Sequence, residues 1–192
     1  MTKHERRTIT CEVRSADEGK SPVIVGHAAV FNSPTDIGGW FTEQIAPGAF
    51  TDSIAADDIR ALKNHDSNYV LGRNRAGTLR LSEDAKGLAV EIDPPDAQWV
   101  TDLLVSMQRG DITQMSFCFS PLQELWDDEA RLRTLLKMQL YEVSVVTFPA
   151  YTDTDASVRS AEEILREAQA KRSGPPASIV NAKRYLDLLQ IM

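Results

Sequence analysis

The chain has 192 residues, 42% hydrophobic and 26% charged, which is enough apolar material for one packed domain with tails. A formal charge of −7 and a pI near 5.0 exclude a nucleic-acid binder that works by neutralising phosphates. Two cysteines (Cys11, Cys118) and three histidines (His4, His27, His65) leave no paired spacing for a zinc site and no disulfide framework. Glycine-rich phosphate loops, HExxH and GxSxG are all missing, so no cofactor and no metal is expected. No apolar run is long enough for a membrane span, and the polar, basic stretch 1–8 does not read as a secretory signal. The expectation is a protein that stays where it is made, without nucleic-acid or membrane partners.

In chain order, 1–20 is mixed in charge and ends in a turn at Asp17–Lys20, with a first weak strand at 7–13. PVIVGHAAVF (22–31) is a stronger strand, and its alternation puts His27 in phase with Val23, Val25, Ala29 and Phe31, facing the core. A polar loop at 32–39 leads to WFTEQIAPGAF (40–50), extended until Pro47 and Gly48 break it. A short helix at 51–58 with Thr51 or Asp52 as its cap precedes a strand at 59–62. That strand runs into Lys63, Asn64, His65 and Asp66. His65 reads either as an exposed loop histidine or as a general base presented from the end of a rigid element.

Extended segments at 69–73, 77–81 and 87–92 follow, the last two joined as a hairpin through 82–86. The spacing of Val100, Leu103, Leu104 and Met107 predicts a helix over 97–109, with Asp96 able to cap it and Gly110 placed to end it. Directly behind it, QMSFCFS (114–120) reads as a strand with two unlike faces. Met115, Phe117 and Phe119 point to a core, and Ser116, Cys118 and Ser120 point the other way. Such a row suits a fixed nucleophile and equally suits a half-buried strand beside a close neighbour. An extended piece at 121–126 and a turn at 127–130 lead to a further long strand, clearest in LYEVSVVTF (140–148). There Glu142, Ser144 and Val146 share a face, and Glu142 either meets solvent on an edge strand or requires a partner. Beyond 155, Ser160 and Glu163 match a capping box for a helix to about Arg172. A Gly-Pro linker at 173–176 and an amphipathic stretch at 178–192 complete the chain.

A serine hydroxyl is a weak nucleophile until an imidazole takes its proton, and the imidazole works best when a carboxylate fixes it. Ser116, His65 and Glu142 can be joined by that logic. The blocks LKNHD (62–66), QMSFCF (114–119) and LYEVSVVTFPAY (140–151), with GHAAVFN (26–32) and EQIAPGAF (43–50), resemble the tailed-phage prohead maturation proteases, distant relatives of the herpesvirus protease assemblin. Five blocks in order, spanning about 20–158, make the resemblance specific as a set.

The resemblance implies an α+β, mainly β fold: a barrel-like antiparallel domain with flanking helices and a helical C-terminal tail. The expected division is an N-terminal segment 1–20, a protease domain 21–159 and a tail 160–192 used for targeting or self-cleavage, and 168–174 reads from its residues as an exposed stretch open to a cut. It implies a serine endopeptidase acting inside the immature capsid in the host cytoplasm, on the scaffolding segment of the capsid precursor or on a scaffold protein, and on itself, as a possible homodimer or oligomer. By motif, Ser116 is the nucleophile, His65 the base and Glu142 the orienting group. Backbone N–H groups of Ala150 or Tyr151 are the candidates for the oxyanion hole. Two rivals stand beside it: Cys118 as the nucleophile, and a non-catalytic scaffold or capsid-binding assembly protein.

Overall fold

β10 (Gln114–Asp127) and β11 (Leu132–Val146) form one long antiparallel hairpin, and the larger sheet is assembled on it. The computed structural model describes residues 4–10, 14–15, 22–148 and 155–172. β1 (Glu5–Thr10) lies antiparallel along the edge of β10 that β11 leaves open. At 15 residues β11 is long enough to serve two shorter strands in succession on its other edge. β5 (Phe41–Ile45) pairs with its first part and β6 (Arg60–Lys63) with its last part, both in parallel. β4 (Thr35–Ile37) extends β5, and β7 (Asp66–Arg73) folds back on β6. A second, antiparallel sheet runs in the order β2 (Arg14–Ser15), β3 (Ile24–Val30), β9 (Gly87–Ile92), β8 (Leu79–Glu83).

Between the sheets sits one apolar core. Met115, Phe117, Phe119, Val143 and Val145 enter it from the first sheet, and Ile24, Leu88, Val90 and Ile92 from the second. Helix α2 (Gln98–Gln108) covers it with Val100, Leu103, Leu104 and Met107, the stripe predicted from the sequence. Gly110, at φ 80°, ends that helix in the left-handed conformation that glycine adopts without steric cost. Helix α1 (Thr51–Ala56) is capped from outside: Glu83 accepts hydrogen bonds from Gly48 N, Phe50 N and Thr51 Oγ1 at 2.9, 2.7 and 3.0 Å. Neither Thr51 nor Asp52 caps it.

Three further expectations change. The domain is not a barrel, and its first sheet is mixed rather than antiparallel, because β11 takes two parallel neighbours; among the described residues no sheet closes. His27 does not face the core. A register shift between His27 and Ala29 reverses the alternation, so Ala28 and Ala29 are both buried while His27 turns outward and bonds Asp84 at 2.8 Å. Gly87 fits this bend, since a Cβ there would lie 1.9 Å from the Ala29 carbonyl oxygen. Helix α3 (Asp155–Arg172) begins before Ser160, which therefore lies inside it. Its Ile164 packs with Ile37 and Phe41 beside Trp40 and Trp126. The segment 173–192, with its second amphipathic stretch, lies outside the described residues.

A buried charge cluster that no local sequence pattern marks fastens β1 to the hairpin. Arg133, 1% exposed, donates to both oxygens of Glu5 at 2.8 and 3.0 Å, to Glu43 at 2.8 Å and to Glu124 at 2.8 Å. Arg7 bonds Glu43 at 2.5 Å and Glu5 at 2.8 Å. Burial pushes the Glu5 carboxyl up, but Arg133 and Arg7 more than offset it, and the net shift is downward from 4.5. A carboxylate whose folded pKa is depressed gives its full stabilisation above its unfolded value and loses it as pH falls through the folded one. Thermal unfolding should therefore show the melting temperature falling below about pH 4.5. The Glu5→Gln chain should be less stable at pH 7 yet lose less on acidification. Identical pH profiles for the two chains would contradict this. Arg133→Ala, which strands buried carboxylates, should cost about 3–5 kcal/mol in urea unfolding.

Candidate active site

His65 is placed by the backbone. β6 and β7 are joined by a two-residue turn, Asn64 and His65, with Lys63 opposite Asp66. Both turn residues have positive φ, 53° and 58°, as a twisted hairpin of this length demands. Asn64 is well suited to that conformation and histidine tolerates it. The Asn64 side chain also ties the turn to the end of β11. Its amide donates to Thr147 Oγ1 at 3.2 Å, and its Oδ1 accepts from Thr147 N at 2.8 Å. Asn64 N donates to Val145 O at 2.9 Å. The hairpin is further braced by Lys63, whose ammonium lies 5.7 Å from the Tyr69 ring, and by Tyr69 edge-on to Trp99 of α2.

The turn brings His65 over β11. Its Nδ1 meets Glu142 Oε1 at 2.5 Å, joining two residues 77 positions apart. Glu142 is 9% exposed, and its other oxygen accepts from Ser144 Oγ at 2.5 Å. The same Ser144 Oγ accepts the His65 backbone N–H at 3.2 Å. Ser144 thus orients both the carboxylate and the turn carrying the imidazole. Neither Ser144 nor Asn64 was picked out from the sequence. The signal for Ser144 was its place on the Glu142 face, and that for Asn64 was its place before a histidine in a hairpin turn.

Ser116 lies directly opposite Ser144, and Cys118 directly opposite Glu142, so all four share one face of the sheet with His65 above it. Ser116 is fully buried, and its hydroxyl donates to the Arg7 carbonyl oxygen at 2.8 Å, not to the imidazole. His65 Nε2 has no hydrogen-bond partner among the described residues. The expected pair of imidazole and carboxylate is therefore formed, while the serine is on the same face and bonded elsewhere. Burial, and then the nearby Glu142 carboxylate, push the Cys118 thiol up, outweighing the Arg6 guanidinium beside it. A thiol held protonated in this way is a poorer nucleophile than its chemistry alone suggests. Ala150 and Tyr151 lie outside the described residues. Among the described residues no cluster of three or more His, Cys, Asp or Glu is placed to hold a metal ion, and no helix is long and apolar enough to cross a membrane.

A family model described as Caudovirus prohead serine protease matches residues 9–167. Among solved structures, the bacteriophage T4 capsid assembly protease, gp21, shares the fold with a TM-score of 0.51 at 9% sequence identity, over 74% of this chain and 96% of that one. No curated protein matches the sequence.

Because Ser144 serves two buried partners at once, Ser144→Ala should lower stability by about 1–3 kcal/mol in urea unfolding. An unchanged midpoint would mean that neither Glu142 nor the His65 turn depends on it.

Proposed function

The chain belongs to the caudovirus prohead serine protease family, and from that premise we propose that Ser116, His65 and Glu142 are its catalytic triad and that it trims the capsid precursor during capsid maturation. The observation that carries the triad is the 2.5 Å contact of His65 Nδ1 with buried Glu142, above the sheet face that also bears Ser116. A carboxylate on Nδ1 leaves Nε2 as the basic nitrogen, which is the role a serine hydroxyl requires of its partner.

In the proposed reaction Ser116 Oγ attacks the scissile carbonyl carbon while His65 Nε2 takes the hydroxyl proton. Glu142 stabilises the imidazolium so formed. Collapse of the tetrahedral intermediate breaks the C–N bond, and His65 returns the proton to the departing amine. Water, deprotonated by the same imidazole, then releases the acyl group from Ser116. The backbone N–H groups of Ala150 or Tyr151, just beyond the end of β11, remain the proposed donors to the oxyanion. The proposed substrates are the scaffolding segment of the capsid precursor or a separate scaffold protein, and this chain itself within 168–174, where a cut requires the end of α3 to unwind because the helix runs to Arg172 and buries Ala168. The raised Cys118 thiol favours Ser116 over the neighbouring sulfur as nucleophile. Residues from 160 onward are assigned to targeting or to the self-cleaved tail, and a homodimer or larger oligomer is kept as the proposed assembly.

With purified chain and capsid precursor, His65→Ala should slow precursor cleavage by about 10⁴-fold or more, and Glu142→Gln by a similar order, with circular dichroism unchanged. Wild-type rates in a folded His65→Ala chain would refute the assignment.

A further inference from the structure

Gln114 opens β10. The register with β11 runs unbroken from Gln114 to Cys118, so Gln114 shares its face with Ser116 and Cys118. Its partner across the pair is Val146, the last residue of β11. The His65 turn is tied to this same end of the sheet, through Asn64 N to Val145 O and the Asn64 side chain to Thr147. The other polar side chains of the face have partners. Ser116 donates to the Arg7 carbonyl, Ser144 bridges Glu142 and the His65 N–H, and Tyr141 Oη donates to Ser120 Oγ at 3.2 Å. Gln114 Oε1 is buried and accepts no hydrogen bond among the described residues. Its neighbour Val146 is buried and has no side-chain donor to offer.

A buried amide oxygen without a donor is destabilising, and folded proteins seldom keep one without a use. What is missing is an N–H group. The molecule that must reach Ser116 is a peptide, which carries an N–H at every residue but proline. Side chains two positions apart on a strand lie roughly 7 Å apart, the interval at which an extended peptide repeats its main-chain groups. A chain laid over this face with its scissile carbonyl at Ser116 therefore brings a main-chain N–H to Gln114. Ser116 is itself fully buried, so the opening that admits a peptide to its hydroxyl uncovers the neighbouring amide as well. We propose that Gln114 is a substrate-binding residue whose Oε1 accepts a main-chain N–H within two residues of the scissile bond and so holds the carbonyl against Ser116. The proposal rests on Ser116 being the nucleophile. Because the bond is to the backbone, it selects an extended polypeptide without selecting its side chains.

Gln114→Met keeps the length of the side chain and removes the acceptor. A residue that only supports the fold lowers stability and activity together when it is changed. A residue kept for substrate does not. The urea midpoint of Gln114→Met should hold or rise, because an unmet buried acceptor is gone, while kcat/KM on the capsid precursor falls about tenfold. A peptide spanning the cut junction of the precursor then identifies the donor. In a series of such peptides the scissile amide is kept and one N–H within two residues of it is replaced by an ester oxygen. The unmodified chain should lose about tenfold on one of these esters, and Gln114→Met should cleave that ester and the parent amide at equal rates. An unchanged kcat/KM in Gln114→Met, a lowered midpoint, or the same ester penalties in both chains would overturn the assignment. Ser116→Ala separates it from its premise: cleavage that persists in that chain refutes the nucleophile, whatever Gln114→Met does.

Discussion

The pairing of β10 with β11 is the constraint on which the rest of the molecule depends. It sends Phe117 and Val143 into the core and, by the same alternation, aligns Ser116 with Ser144 and Cys118 with Glu142 on the opposite face. Ser116, Ser144 and Glu142 are buried on that face, so each must find a partner within the protein. Glu142 finds two, the His65 imidazole and the Ser144 hydroxyl. The need to satisfy one buried carboxylate thus fixes a histidine that arrives from a separate hairpin.

A second consequence of the same hairpin is the asymmetry of its edges. β11 is covered along its far side by two parallel strands, β5 and β6, which are themselves paired with β4 and β7. Among the described residues, the other edge of β10 is covered by a short strand from the start of the chain, held by side-chain charges as well as by its ladder. A cover anchored partly by ion pairs loosens in acid as its carboxylates protonate, while burial of Glu5, Glu43 and Arg133 shields those pairs from salt.

Much of this was legible in the sequence because it rests on local periodicity. The α2 stripe, the two faces of 114–120 and the shared face of Glu142 and Ser144 follow from spacing alone. What failed depended on events that spacing does not record. A register shift at His27 reversed the facing of that residue, and another beside Phe119 takes Tyr141 out of the alternation. Parallel pairing of β5 and β6 with one long strand is a matter of topology, and it replaced the expected barrel with two open sheets. The Arg133 cluster joins positions 5, 43, 124 and 133, which no local pattern relates. Of the site, His65, Ser116 and Glu142 were legible through motif blocks. Asn64 and Ser144, which hold His65 and Glu142 in place, were visible only once the turn and the cross-strand pairs were known.

Ser116 and Cys118 both offer a nucleophilic atom on the shared face, and the proposed reaction uses the serine. Its most direct test is intact-mass analysis of the capsid precursor after incubation with the unmodified chain, Ser116→Ala and Cys118→Ala. Truncation by the unmodified and Cys118→Ala chains, with none by Ser116→Ala, is the predicted result. Truncation that persists with Ser116→Ala and disappears with Cys118→Ala would contradict the account at its centre.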